Sequence, residues 1–110
     1  MNLTSFLQDK RLTIILKGEI DHHMAKQIMK EIGEKIDDYL PLICILDYKN
    51  VLFMDSSGIA VILFTLRKMR ELDGELKLQN LPSNVEKVIR MAGIQNLIRI
   101  SERTDLYESR

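Results

Sequence analysis

The sequence has no excess charge of either sign, no pair of cysteines and no apolar run long enough to cross a bilayer. Its 16 lysines and arginines are matched by 16 aspartates and glutamates, so no overall field draws the chain to nucleic acid or to an anionic membrane. Any charged contact must be local. The single cysteine, Cys44, lies in the apolar stretch LICIL; it has no intramolecular disulfide partner, is expected to pack as a small buried group, and fits a reducing cytoplasm. The first ten residues, MNLTSFLQDK, lack a basic region followed by an apolar stretch, and the longest apolar run, Ile59 to Phe64, is far below the roughly 18 residues of a spanning helix. The expectation is a cytoplasmic protein with neither a membrane nor a nucleic acid as partner.

Several chemical signatures are missing as well. Neither Gly-x-x-x-x-Gly-Lys-Ser/Thr nor Gly-x-Gly-x-x-Gly occurs among the five glycines, which removes both usual backbone cradles for a nucleotide phosphate, and no cofactor is expected. There is no Cys-x-x-Cys or His-x-x-x-His, and the adjacent His22 and His23 would point about 100° apart on a helix, too divergent to hold one metal ion together. KGEI, at 17 to 20, offers no acidic cluster of the kind a phosphoacceptor receiver domain carries after its first strand. No repeat, low-complexity tract or linker interrupts the 110 residues, 45% of them hydrophobic, so one domain spanning 1–110 is expected.

What is present alternates between two periods. Leu3 to Leu7 reads as an edge strand, and Leu12, Ile14 and Leu16 alternate with Thr13, Ile15 and Lys17 in a second strand closed by Gly18. From His22 to about Tyr39, apolar residues at Ala25, Ile28, Met29, Ile32, Ile36 and Tyr39 recur at steps of three and four, which predicts a helix with Asp21 as its N-cap. LICILD, closed by Asp47, is short and continuously apolar, as a strand at the sheet centre would be. After YKNVLFM a helix is expected from Ser57 to about Leu72, then a strand at ELKLQNL. Ser83 to Glu86 reads as a capping box for a helix with Val85, Val88, Ile89 and Ala92 on its stripe, ending before Gly93. LIRI is expected as a last strand, with one or two helical turns between Thr104 and Ser109.

That order predicts an α/β fold with a mostly parallel central sheet, one antiparallel edge strand and about four helices. In such sheets functional loops gather at the carboxyl ends of the parallel strands. Gly18 to His23 and Met54 to Gly58 should therefore share one rim.

Asp55-Ser56-Ser57-Gly58 is the most informative stretch on that rim. By residue type it reads first as a helix start, in which a hydroxyl or carboxylate accepts from a free amide and Gly58 eases the tight turn, with Ser57 the expected cap. It also reads as a modification site, since a phosphate on a hydroxyl there would face free amides and the positive end of a helix dipole. Asp55 beside it would add to the negative charge. A nucleophile elbow needs Gly-x-Ser-x-Gly, and MDSSG lacks the first glycine; a hydrolase using Ser56 with His22 or His23 is the weakest reading. Behind the loop, Ile59 to Phe64 is apolar nearly all round, as suits either a helix buried on two sides or an exposed apolar patch for a protein partner.

GEIDHH at 18 to 23, followed by FMDSSGIAVIL at 53 to 63, resembles the STAS domain, named for sulfate transporters and anti-sigma-factor antagonists, and within it the antagonists. The resemblance spans essentially the whole chain. It implies a protein that, unphosphorylated, binds an anti-sigma factor that is also a serine kinase and so releases the sigma factor. It implies no catalysis by this chain, with Ser56 phosphorylated by that kinase and restored by a serine phosphatase. The implied partner-facing set is Asp21 and His22 from the first motif with Asp55, Ser56, Ser57, Gly58 and Ile59 from the second. Ala60 stands where relatives often have Gly. A scaffold or small-ligand sensory module without phosphorylation is the alternative that the same resemblance allows.

Overall fold

Alternating apolar residues make Leu3–Gln8 (β1) and Arg11–Ile20 (β2) an antiparallel hairpin, with Leu3 opposite Leu16 and Gln8 opposite Arg11. Asp9 and Lys10 turn the chain with φ of 52° and 64°, the two successive positive values of a tight turn whose twist matches the strands. The computed structural model describes residues 3–98. In it β2 continues into helix α1 (His22–Tyr39), strand β3 (Ile43–Met54), helix α2 (Ser57–Glu71), strand β4 (Glu75–Gln79) and helix α3 (Ser83–Ala92). Residues 95–98 are helical as well.

The sheet order is β1-β2-β3-β4, with β1 antiparallel and the other neighbours parallel. This is the expected α/β architecture. Right-handed crossovers between strands laid down in one direction put α1 and α2 on the same side of the sheet, where they pack against each other. Between them and the sheet lie Leu12, Ile14 and Leu16 of β2, Leu46 of β3 and Leu76 and Leu78 of β4, with Ile28 and Ile32 of α1 and Val61, Ile62 and Met69 of α2, all buried. Each such side chain contributes about 1.5–3 kcal/mol by leaving water, so this layer fixes where the two helices begin.

The strands run further than their sequence suggests. Gly18 does not close β2, which continues to Ile20, and Asp47 does not close β3, which continues through YKNVLFM to Met54. The ladder between them shifts register twice, between Ile15 and Lys17 and again between Gly18 and Glu19. At the second shift Gly18 takes φ 87°, a conformation that costs an L side chain but not glycine. Asp47 sits in mid-strand with its carboxylate buried, accepting from the Lys49 amide at 2.9 Å and from Asn80 Nδ2 at 3.1 Å. A buried carboxylate with such donors does not end a strand.

Two expectations toward the C-terminus are corrected. The capping box is absent because α3 starts one residue early: Pro82 is its N-cap, Ser83 is already helical, and the Glu86 carboxylate pairs with Arg90 at 3.0 Å. The strand expected at LIRI does not form at Leu97 and Ile98, which are helical. Arg99 and Ile100, and the turns expected between Thr104 and Ser109, lie outside the described residues.

Two buried groups of β3 carry predictions. The Tyr48 hydroxyl is fully buried and has no hydrogen-bond partner among the described residues, a state that costs about 1–3 kcal/mol. Tyr48→Phe is expected to stabilise the fold by about 1 kcal/mol, read as a higher denaturant midpoint at unchanged slope; a lower midpoint would show that the hydroxyl is satisfied in solution. Burial also pushes the Cys44 thiol up from 9.0 to about 12. Because the folded value is raised, the thiol's contribution is complete below pH 9 and is lost as pH rises from 9 toward 12, where the unfolded thiol ionises first. The stability difference between the wild type and Cys44→Ala is therefore expected to shift against the wild type across that window.

Candidate functional site

The rim of the sheet is built where β2 and β3 end together, with Ile20 paired to Met54. β2 gives way to α1 after one residue, Asp21, and β3 to α2 after two, Asp55 and Ser56, so two helix N-termini lie side by side. The Asp55 amide donates to the Ile20 carbonyl at 3.2 Å, which locks the second loop to the first. Asp21 then caps α1 as expected, its Oδ1 accepting from the Met24 amide at 2.9 Å. Asp21, His22 and His23 are all exposed.

The second loop is capped differently from expectation. Ser57 is the first residue of α2 and caps nothing; the Asp55 Oδ1 accepts from the Ser57 amide at 2.7 Å. Ser56 occupies the N-cap position with φ −64° and ψ −16°, helical rather than extended, and its side chain makes no capping hydrogen bond. A capping serine ordinarily takes an extended backbone that folds its hydroxyl onto the amides of the first turn. Here the first turn closes through the backbone, Gly58 N–H to the Asp55 carbonyl and Ile59 N–H to the Ser56 carbonyl, each at 3.0 Å. The result is an exposed serine whose hydroxyl makes no cap and is uncommitted among the described residues.

Gly58 is required by packing. A Cβ there would meet Met54 Cγ at 2.3 Å and Sδ at 2.4 Å, so only glycine lets α2 start against the end of β3. The run after it divides between both readings of the sequence. Val61 and Ile62 are buried, Ile59 and Phe64 are half-buried, and Ala60 and Leu63 are exposed. Phe64 lies over Gly33 of α1, where an added Cβ would come 3.1 Å from its ring. One flank of α2 is thus core, while Ser56, Ala60 and Leu63 form an open line at helical spacing.

The sequence-derived set is brought together only in part by direct contacts. Asp55, Ser56, Ser57, Gly58 and Ile59 form one hydrogen-bonded loop, and Asp21 and His22 join it through the Ile20–Asp55 link. The His23 ring nitrogen Nε2 lies 3.2 Å from Gln27 Nε2, on its own helix. Among the described residues no cluster of three His, Cys, Asp or Glu could hold a metal, and no helix is long and apolar enough to cross a membrane. Sequence reasoning missed Leu52 and Phe53, which are 74% and 48% exposed just before the serine loop. No local signal marked them, because they lie in a strand whose register against β2 slips.

Comparison with known proteins gives this geometry a context. The family model for the STAS domain matches residues 7–106. The anti-sigma F factor antagonist of Paenibacillus polymyxa is 30% identical over 102 residues, 91% of this chain and 87% of that protein. Among solved structures, the anti-sigma factor antagonist SpoIIAA in its unphosphorylated form superposes with a TM-score of 0.75 at 29% identity, covering 84% of this chain and 81% of that one. The Bacillus cell fate determinant SpoIIAA in its phosphorylated form gives 0.68 at 28% identity, covering 84% of each chain. With a family match over nearly its whole length, and with two rim loops that carry both motifs of the resemblance, this chain belongs to the STAS domain family.

Proposed function

We propose that this chain is an anti-sigma-factor antagonist whose unphosphorylated form binds an anti-sigma factor serine kinase and frees the sigma factor, and that phosphorylation of Ser56 ends the binding. The observation that carries this reading is the exposed, uncommitted hydroxyl of Ser56 at the start of α2, on a rim shared with the start of α1. The family supports it, since relatives of similar length are named as antagonists and one solved relative is a phosphorylated form.

The chemistry belongs to the partner. Ser56 Oγ attacks the γ-phosphorus of ATP held by the kinase, the bond to ADP breaks, and the hydroxyl proton passes to a base of the kinase. The chain supplies only the acceptor and its setting. A phosphoserine carries about −1.5 to −2 charge; beside Asp55, on the rim that also carries Asp21, it makes that surface more acidic. The new charge is tolerated by the fold because it sits at a helix N-terminus, yet it repels a surface fitted to the neutral loop. A serine phosphatase restores the binding form.

The kinase-facing surface is Asp21, His22, Asp55, Ser56, Ser57 and Ile59, extended by Leu63 along α2, with the buried Gly58 setting the turn beneath it. Incubation with the cognate anti-sigma kinase and ATP, followed by intact-mass and peptide mass spectrometry, tests the assignment. One phosphate on Ser56, absent in Ser56→Ala, is expected. A phosphate on any other residue, or none, overturns it.

A further inference from the structure

We infer that Asp55 is a positioning residue for phosphorylation of Ser56: by taking the Ser57 amide it holds the Ser56 backbone helical, out of the extended conformation of a capping serine, and so keeps the acceptor hydroxyl free. The inference rests on Ser56 being the acceptor. Its basis is a pair of observations that differ from an ordinary helix start. The residue in the N-cap position has a helical backbone and no side-chain cap, and the carboxylate one residue earlier holds the first helical amide at 2.7 Å. A serine in that position ordinarily turns extended and takes the amide of the second or third helical residue; here those amides, of Gly58 and Ile59, close on the Asp55 and Ser56 carbonyls, and the bond from the Ser57 amide to Asp55 holds the Ser56 backbone in the helical conformation that permits it. With Asp55 in place, Ser56 cannot turn to the extended conformation without breaking the short bond behind it.

The geometry of the bond, rather than its charge, is what this role requires. An Asx turn closes over two residues because the side-chain oxygen lies one carbon beyond Cβ. Asparagine reproduces that reach without charge. Glutamate keeps the charge but sets the oxygens one methylene further out, where the two-residue ring does not close. The Asp55 backbone is independently anchored, its amide to Ile20 and its carbonyl to Gly58, so exchanging its side chain leaves the rest of the loop supported.

The test compares phosphorylation of the full chain, as wild type, Asp55→Asn and Asp55→Glu, by the cognate anti-sigma kinase with ATP. The Ser57 amide resonance of each is recorded by NMR, and the same spectrum shows whether the variant is folded. Asp55→Asn is expected to retain the hydrogen-bonded position of the Ser57 amide and, whatever change in KM follows from losing a charge on the kinase-facing surface, to exceed Asp55→Glu in kcat by about tenfold. Asp55→Glu is expected to lose that position and to fall about tenfold or more in kcat, with KM little changed, as misplacement of a reacting group does. Equal rates for all three, or a slow Asp55→Asn beside a fast Asp55→Glu, overturn the positioning role and leave Ser56 as the acceptor. A wild type that takes no phosphate on Ser56 overturns the acceptor assignment, and this role with it.

Discussion

Ser56→Asp is expected to weaken binding to the cognate anti-sigma kinase by about a hundredfold or more, close to 3 kcal/mol, while Ser56→Ala binds within a few-fold of wild type. The asymmetry follows from the setting of the side chain. Ser56 is exposed and makes no capping bond, so removing its hydroxyl leaves no buried donor or acceptor unpaired and costs the fold little. A carboxylate in its place brings a like charge next to Asp55, on a surface that must lie against the partner, where repulsion and desolvation add up to several kcal/mol. Isothermal titration of both variants, with folding checked by circular dichroism, reads the difference. Equal affinities for the two would mean that charge at this position does not control binding.

Gly58→Ala is expected to be the most damaging single-methyl change on the rim, lowering stability by about 2 kcal/mol although alanine is the better helix former. The cause is the end of β3. The new methyl would fall 2.3 Å from Met54 Cγ and 2.4 Å from its Sδ, so either Met54 leaves its rotamer or the first turn of α2 lifts away from the strand. Met54 is itself buried, and Met54→Ala alone should cost about 2–5 kcal/mol through the cavity it leaves. The double variant supplies the decisive comparison. The alanine methyl at 58 enters the space vacated at 54, so the pair should be less damaging than the sum of its parts by about 1–2 kcal/mol. Strict additivity in denaturant titrations would show that Gly58 is there for another reason. Since the same turn carries Ser56, Gly58→Ala should also slow its phosphorylation.

How much of this could be read from the residues depends on whether two local signals agreed. At α1 they did: the three-and-four stripe from Ala25 to Ile36 and the aspartate before it point to one helix with one cap, and both are found. At α2 the helix was legible but its cap was not, because Asp55, Ser56 and Ser57 are all good N-caps by type. What decides among them is a long-range bond, the Asp55 amide on the Ile20 carbonyl, and no local pattern carries that. The second half of β3 was hidden for a related reason. Its two register shifts break the alternation by which strands are recognised, so YKNVLFM reads as a connection although it is paired to β2 as far as Met54. With that strand unread, the exposure of Leu52 and Phe53 was unreadable too. At α3, Ser83 and Glu86 had the right spacing for a capping box, and the helix started one residue earlier, at Ser83 behind Pro82. The motif pair GEIDHH and MDSSG was legible from the start, and the fold explains its spacing: each lies at the end of a neighbouring parallel strand, and α1 with β3 up to Phe53 fills the interval between them.

The most direct measurement is one titration of the cognate anti-sigma kinase with three forms of the same preparation: unmodified, phosphorylated at Ser56, and phosphorylated then treated with a serine phosphatase. The account requires binding by the first, loss of about a hundredfold or more in the second, and recovery in the third. Equal binding by the unmodified and phosphorylated forms would contradict it.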